Sequence, residues 1–88
     1  MLLFCLQVIK YKKMKARLTA VISKEGKEYV ALNPDLDIAS QGPTPESALA
    51  NLREAVDLFF ETASTGEIRQ RLGGETWITQ FEAEYAQA

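Results

Sequence analysis

The sequence predicts an α+β fold: a β-β-β-α-β chain with an antiparallel sheet and one long helix on one face. Two patterns predict it. Residues 15–23 alternate between apolar and polar side chains, which is the period of a half-buried strand. Residues 44–63 carry a broad apolar stripe at helical spacing. Turn-forming residues separate the segments between them.

The first two strands are predicted to form a hairpin. In residues 15–23 one face carries only apolar side chains, namely Ala16, Leu18, Ala20 and Ile22. Residues 24–27 form a polar link in which Gly26 can adopt a positive φ. Residues 28–33 then form the return strand.

A tight turn at Pro34-Asp35 leads into a third, short strand over residues 36–41, which Gly42 closes. Proline presets φ for such a turn, and an aspartate side chain can bond to its own backbone. The third strand is therefore expected to pair with the second in antiparallel fashion.

The predicted helix runs from Thr44 to about Ala63. Thr44 is a good N-cap, and Pro45 stands at the first helical position, where its missing N–H costs nothing. The apolar stripe comprises Ala48, Leu49, Leu52, Ala55, Val56, Phe59, Phe60 and Ala63. One or two further helical turns are expected over residues 67–72, ending at Gly73-Gly74.

The last segment fits two patterns. Trp77, Phe81 and Tyr85 are four residues apart, which is helical spacing, whereas Phe81, Ala83 and Tyr85 alternate with two glutamates, which is strand spacing. The β-formers in residues 76–81 and the preceding Gly-Gly break favour a closing strand.

The 88-residue length allows one domain, which we place at residues 14–88. Residues 1–13 are an N-terminal extension of uncertain status. Their apolar run is too short to span a bilayer, and it has neither a basic start nor a small-residue cleavage site. Met14 as the natural start, an additional edge strand and a flexible segment all stay open.

The charge distribution favours a basic partner. Without the three lysines of residues 1–13, the chain holds seven basic and twelve acidic residues, a net charge of −5. This balance argues against direct DNA or RNA binding, which needs clustered basic residues. It suits a protein partner of opposite charge.

The residue types argue against an enzyme. The chain has no histidine, and its one cysteine excludes an internal disulfide. No cofactor motif is recognisable. Asp35 and Asp37 could hold a divalent metal, as in a metal-dependent nuclease, but the favoured interpretation is that Asp35 belongs to the turn. We therefore predict no catalytic, cofactor-binding or metal-ligating residue.

The C-terminal aromatic residues have two possible roles. Trp77, Phe81 and Tyr85 could stack on nucleic-acid bases, but three glutamates lie among them and no basic residue follows Arg71. They are therefore predicted to pack in a core or a subunit interface. Phe60, at the edge of the helical stripe, is expected to join that oligomer interface. Arg69 and Arg71 are interpreted as belonging to a solvated helical turn.

Residues 17–61 resemble the HicB family of antitoxin-like proteins. The residues that carry the resemblance are Tyr29, Val30, Ala31, Leu32, Pro34, Asp35, Leu36, Ala39, Ser40, Gln41, Gly42, Thr44, Glu46, Ala48, Asn51, Leu52, Glu54 and Ala55. The spacing of the turn, the glycine, the cap and the helix all agree with the family pattern. The segment from Trp77 to Tyr85 is similar to the closing strand of small members.

The resemblance implies a partial ribonuclease-H-like fold that lacks that enzyme's catalytic acids, and assembly into homodimers or homotetramers. It also implies a cytoplasmic protein that neutralises HicA, a small basic RNA-cleaving toxin, by covering its active site. Many members carry a C-terminal DNA-binding module, for which no sequence follows the predicted closing strand here. Direct operator binding is therefore not expected.

The acids expected to contact the toxin are Glu25, Glu28, Asp35 and Asp37, at the hairpin and the turn. Short members of such a family need not have a toxin partner. The alternative function is therefore a homo-oligomeric module of the same fold that binds another protein or a small ligand.

Overall fold

The computed structural model describes residues 14–87, so the predicted extension 1–13 lies outside it. Three strands precede two helices. They are β1 (Val21–Glu25), β2 (Glu28–Asn33), β3 (Ile38–Gly42), α1 (Pro45–Thr62) and α2 (Thr65–Leu72). The α+β class and the three-stranded antiparallel sheet agree with the sequence prediction.

The sheet has the order β1-β2-β3, with both pairs antiparallel. A two-residue loop joins β1 to β2, since Glu25 pairs with Glu28. Gly26 takes a φ of +64° in this loop. A glycine with positive φ at the first loop position is typical of a type II′ hairpin turn, whose twist matches that of the strands.

Asn33 organises the turn between β2 and β3. Its side chain is fully buried and accepts a hydrogen bond from the Leu36 backbone N–H at 2.8 Å. Its amide nitrogen donates to the Thr19 carbonyl oxygen, also at 2.8 Å. One side chain thus closes the turn and holds residues 14–20 beside the end of β2.

The start of α1 is tied closely to the end of β3. Thr44 and Ser47 form a reciprocal capping box, in which each side-chain oxygen accepts a hydrogen bond from the other residue's backbone N–H, at 3.0 and 3.1 Å. Asn51 donates to the Gln41 carbonyl oxygen at 2.7 Å. A Cβ on Gly42 would clash with the Ser47 hydroxyl and lie 2.8 Å from the Ala48 nitrogen.

The core lies between α1 and the sheet and is small. Its fully or almost fully buried apolar side chains are Ala31, Leu36, Ala48, Leu52 and Val56. The three helical members recur every four residues, which places them on one face of α1. Because α1 packs mainly over β3 and β2, it covers β1 least.

The short helix α2 is fastened to the turn through Arg71. The guanidinium donates to the Leu36 carbonyl oxygen at 2.6 Å and lies 5.3 Å from the centroid of the Phe59 ring. A 3.5 Å ion pair with Glu67 holds the side chain in place. Arg69 and Arg71 are both exposed on this helix, as expected for a solvated helical turn, but the bond from Arg71 to Leu36 was not expected.

The predicted closing strand over residues 76–86 is wrong. Residues 75–87 have no regular secondary structure and are exposed throughout. The observed order within residues 14–87 is therefore β-β-β-α-α. Alternation makes a segment suitable for a strand, but a strand forms only where an unpaired edge accepts its hydrogen bonds.

The predicted strand bounds also need correction. The first strand begins at Val21 instead of Lys15, so its predicted first half has no ladder partner in the described chain. The third begins at Ile38 because residues 34–37 all belong to the turn. The second strand and the long helix agree with the prediction.

Candidate interaction surfaces

A concave surface, here called the α1 groove, lies between residues 14–20 and the side of α1. It is open to solvent and has a volume of about 580 Å³. The helix contributes Leu49, Leu52, Arg53, Val56, Asp57 and Phe60 to its lining, and residues 14–16, 18–20 and Asn33 complete it.

Next to the groove, α1 leaves the helix-facing side of β1 partly uncovered. Ile22 pairs with Ala31, whose side chain is buried under the helix, so Ile22 points to the same side. Yet Ile22 and Leu49 each remain 37% exposed. Exposed apolar side chains therefore lie both in the α1 groove, where Leu49 is, and on the uncovered side of β1, where Ile22 is.

The C-terminal arm, defined as residues 75–87, exposes three large aromatic side chains. Trp77 is 80% exposed, Phe81 88% and Tyr85 81%. The indole N–H of Trp77 donates to Glu75 at 2.6 Å, a contact within the arm itself. Exposed apolar groups of this size, concentrated in one segment, mark an interaction site.

The four predicted toxin-contacting acids lie in two pairs. Glu25 and Glu28 face each other across the β1–β2 hairpin, whereas Asp35 and Asp37 lie in the turn at the far end of β2. The five residue steps of β2 separate the pairs by about 17 Å. The structure therefore does not bring the four acids together in one patch.

The aspartates belong to a structured turn. Asp37 has a φ of +55°, a left-handed conformation that aspartate tolerates better than most residues. Within residues 14–87, no group of three or more potential metal-ligating side chains lies together. The turn interpretation thus has a structural basis in the backbone of Asp37 and the capping by Asn33.

Phe60 lines the α1 groove while packing partly against the core. Its ring centroid lies 5.8 Å from that of Phe59, and the two rings are tilted by 58°. Phe60 is thus placed where it could contact both the core and a molecule bound in the groove. Its role in an oligomer interface stays a prediction.

Sequence reasoning missed two residues that organise these surfaces, Asn33 and Arg71. A signal for Asn33 existed, since an asparagine directly before Pro-Asp often caps a turn through its side chain. Nothing in the sequence indicates that Arg71 bonds to Leu36, because that contact joins residues 35 positions apart.

No helix among residues 14–87 combines the length and the apolarity that crossing a bilayer requires. Comparison with known proteins adds no relative: no family model matches the chain, and neither a curated protein nor a solved structure matches it significantly.

Proposed function

We propose that the chain is a HicB-like antitoxin domain that neutralises a small basic RNA-cleaving toxin by covering its active site. The supporting observation is that residues of the HicB-like pattern stand at the positions of this fold that accept few residue types. Leu36 is fully buried in the turn, Gly42 lies against the helix, and Thr44 caps it. Asn51 joins the helix to β3. The pattern thus describes one coherent local structure.

The charge of the described chain supports a basic partner. Residues 14–88 carry a net charge of −5. Glu25, Glu28 and Asp37 are exposed, and Asp35 is half-buried. A basic RNA-binding face would meet negative charge at both ends of the sheet, and such complementarity raises the association rate and the specificity. The domain acts by occlusion and catalyses no reaction.

In this proposal the ribonuclease-H-like arrangement is completed only when a fourth strand is added to β1. The proposed location is the cytoplasm, where a toxin of this class would find its RNA targets. The two acidic pairs contact basic residues of the toxin. Apolar contacts in the region between the two pairs slow dissociation.

The test uses a small basic protein encoded beside this chain, purified alone and mixed with it. We expect the mixture to lose RNA cleavage and to form a complex whose affinity falls as salt rises. The double variant Glu25→Lys/Glu28→Lys should weaken binding at least about tenfold through like-charge repulsion. Asp35→Lys should likewise weaken binding, at the turn between β2 and β3.

The matched control is Glu54→Lys/Glu61→Lys, which reverses the same number of charges on exposed positions of α1. We expect a much smaller effect from it. Equal losses from the two double variants would mean that only the overall charge matters, and the assigned contact residues would then be wrong. Undiminished RNA cleavage in the mixture would contradict the toxin partnership itself.

A second candidate function is a self-associating module that binds a different protein or a small ligand. The exposed aromatic side chains of the C-terminal arm favour it, because they suit an assembly contact that needs no toxin. The chain would then assemble normally, yet no small basic RNA-cleaving protein would bind to it.

A further inference from the structure

We propose that the C-terminal arm of one copy lies in the α1 groove of a second copy, pairs with the free edge of its β1, and is exchanged reciprocally. In the described chain the α1 groove is open and is lined by eight apolar and five polar side chains, while the aromatic side chains of the arm are exposed. This assembly is independent of the identity of the toxin, so its test uses the chain alone.

The first argument is the free edge of the sheet. Within residues 14–87, β1 pairs only with β2 and leaves the N–H and C=O groups of its other edge unpaired. Such an edge accepts a further strand. The arm is suited to this position, since it alternates and is rich in β-formers at residues 76–81.

The second argument is side-chain matching. In an extended arm, Trp77, Thr79, Phe81, Ala83 and Tyr85 share one side. Placed beside residues 16–22, that side meets Ala16, Leu18 and Ala20, which line the groove. Large aromatic rings opposite alanines fill the space that two rows of large side chains would overfill.

The third argument is charge. The other side of the extended arm carries Glu82 and Glu84, and the arm holds no lysine or arginine. Residues 14–20 carry Lys15 and Arg17 and no acid. An arm beside residues 14–20 would therefore bring its acids near these bases, of which Lys15 lines the groove and Arg17 does not, and opposite charges across a strand pair are favourable.

The fourth argument concerns the occupant. In the single chain the arm does not enter its own groove, and its aromatic rings are at least 80% exposed. Three aromatic residues bury about 150–250 Å² each, so two exchanged arms would bury roughly 900–1,500 Å² through these rings alone. That is comparable with the 1,200–2,000 Å² or so of a stable interface. A second copy of the chain supplies this buried area in a symmetric dimer, in which each arm binds the other copy.

The only tryptophan of the chain, Trp77, reports on the arm directly. We expect its fluorescence emission to shift to shorter wavelength as concentration rises, in step with a doubling of mass by analytical ultracentrifugation. Phe81→Ser should move both transitions to concentrations at least about tenfold higher, because it removes a buried aromatic anchor. Gln80→Ser, on the other side of the arm, should leave both unchanged.

Disulfide capture tests whether the arm of one copy lies in the α1 groove of another copy. One chain carries Ala20→Cys and the other carries Thr79→Cys or Ala83→Cys, each with Cys5→Ser. Mixing them under oxidising conditions should give a covalent dimer in at least one combination. Far-ultraviolet circular dichroism should stay that of the parent, since arm side chains make no contact with the described core.

Three results would overturn the proposal. A monomer whose Trp77 emission is shifted at every concentration would place the arm in its own groove. A monomer with unshifted emission would show that the arm does not dock. A dimer unaffected by Phe81→Ser, or without disulfide capture in either combination, would show association through another surface.

Discussion

At the scale of single residues, Gly42 and Asn33 have structural roles that depend on their own residue types. Gly42 lets β3 approach the first turn of α1, where any side chain would overlap Ser47 and the Ala48 backbone. Asn33 accepts a buried hydrogen bond from the Leu36 N–H in the turn and donates a partly buried one to the Thr19 carbonyl outside it. Each residue is thus explained by geometry within the fold, without reference to a binding partner.

Replacing Gly42 with alanine should lower the free energy of unfolding by about 1–3 kcal/mol, because the added methyl group forces the strand and helix apart. Urea denaturation followed by circular dichroism measures the change. Gly66→Ala is the control: the nearest atom to its new Cβ is 4.0 Å away, and alanine favours the helix. Equal destabilisation by both variants would contradict the close-approach explanation.

Replacing Asn33 with alanine should cost about 1–3 kcal/mol, since the buried Leu36 N–H loses its acceptor and the Thr19 carbonyl loses a partly buried donor. Denaturation under the same conditions tests this. Asn51→Ala also removes one hydrogen bond, but at an exposed position, and should cost about 1 kcal/mol or less. The reverse ranking would show that Asn33 is not the organiser of the turn.

At the scale of elements, α2 is a short helix held mainly through one side chain. It has no fully buried residue of its own, and Arg71 supplies the bond to Leu36, the contact with Phe59 and the ion pair with Glu67. The ion pair alone is worth little at such exposure. The hydrogen bond to the turn is therefore the contact that positions α2.

Arg71→Ala should release α2 from the turn and leave the sheet intact. Amide hydrogen exchange should then quicken over residues 68–73 by about tenfold or more, with little change in β2. Arg69→Ala removes a neighbouring arginine that makes no such bond among the described residues and should leave protection unchanged. Uniform loss of protection across the chain would mean that Arg71 supports the whole fold.

At the scale of the whole molecule, the described chain has a small core between α1 and the sheet and, beside that core, a groove that is open to solvent. Five apolar residues are buried, whereas the C-terminal arm exposes three aromatic rings. A domain this small buries only about 60–65% of its unfolded surface and is marginally stable. Covering the groove with the arm of a second copy would add apolar burial where the fold lacks it.

The melting temperature should therefore rise with protein concentration, because association stabilises only the folded state. Scanning calorimetry over a hundredfold range of concentration checks this. Phe81→Ser should give a melting temperature that is lower and varies much less with concentration. A parent melting temperature that stays constant would indicate that unfolding does not involve dissociation.

Much of the fold followed from local patterns. The alternation and the Gly26 link identified a hairpin, and Thr44 with Pro45 marked the start of α1 within a residue. These signals are local because capping and turn conformation depend on neighbours in sequence. The toxin partner and the four acidic contacts stay predictions, since neither the fold nor the comparisons test them.

By itself, the sequence determined which segments are helical, which are suited to strands, and where the turns lie. Only the tertiary structure decided that α1 covers β2 and β3 more than β1, that Arg71 reaches Leu36, and that residues 75–87 pair with no strand among residues 14–87. The physical reason is that local preferences act within a few residues, whereas strand pairing and burial depend on surfaces from distant parts of the chain or from another molecule.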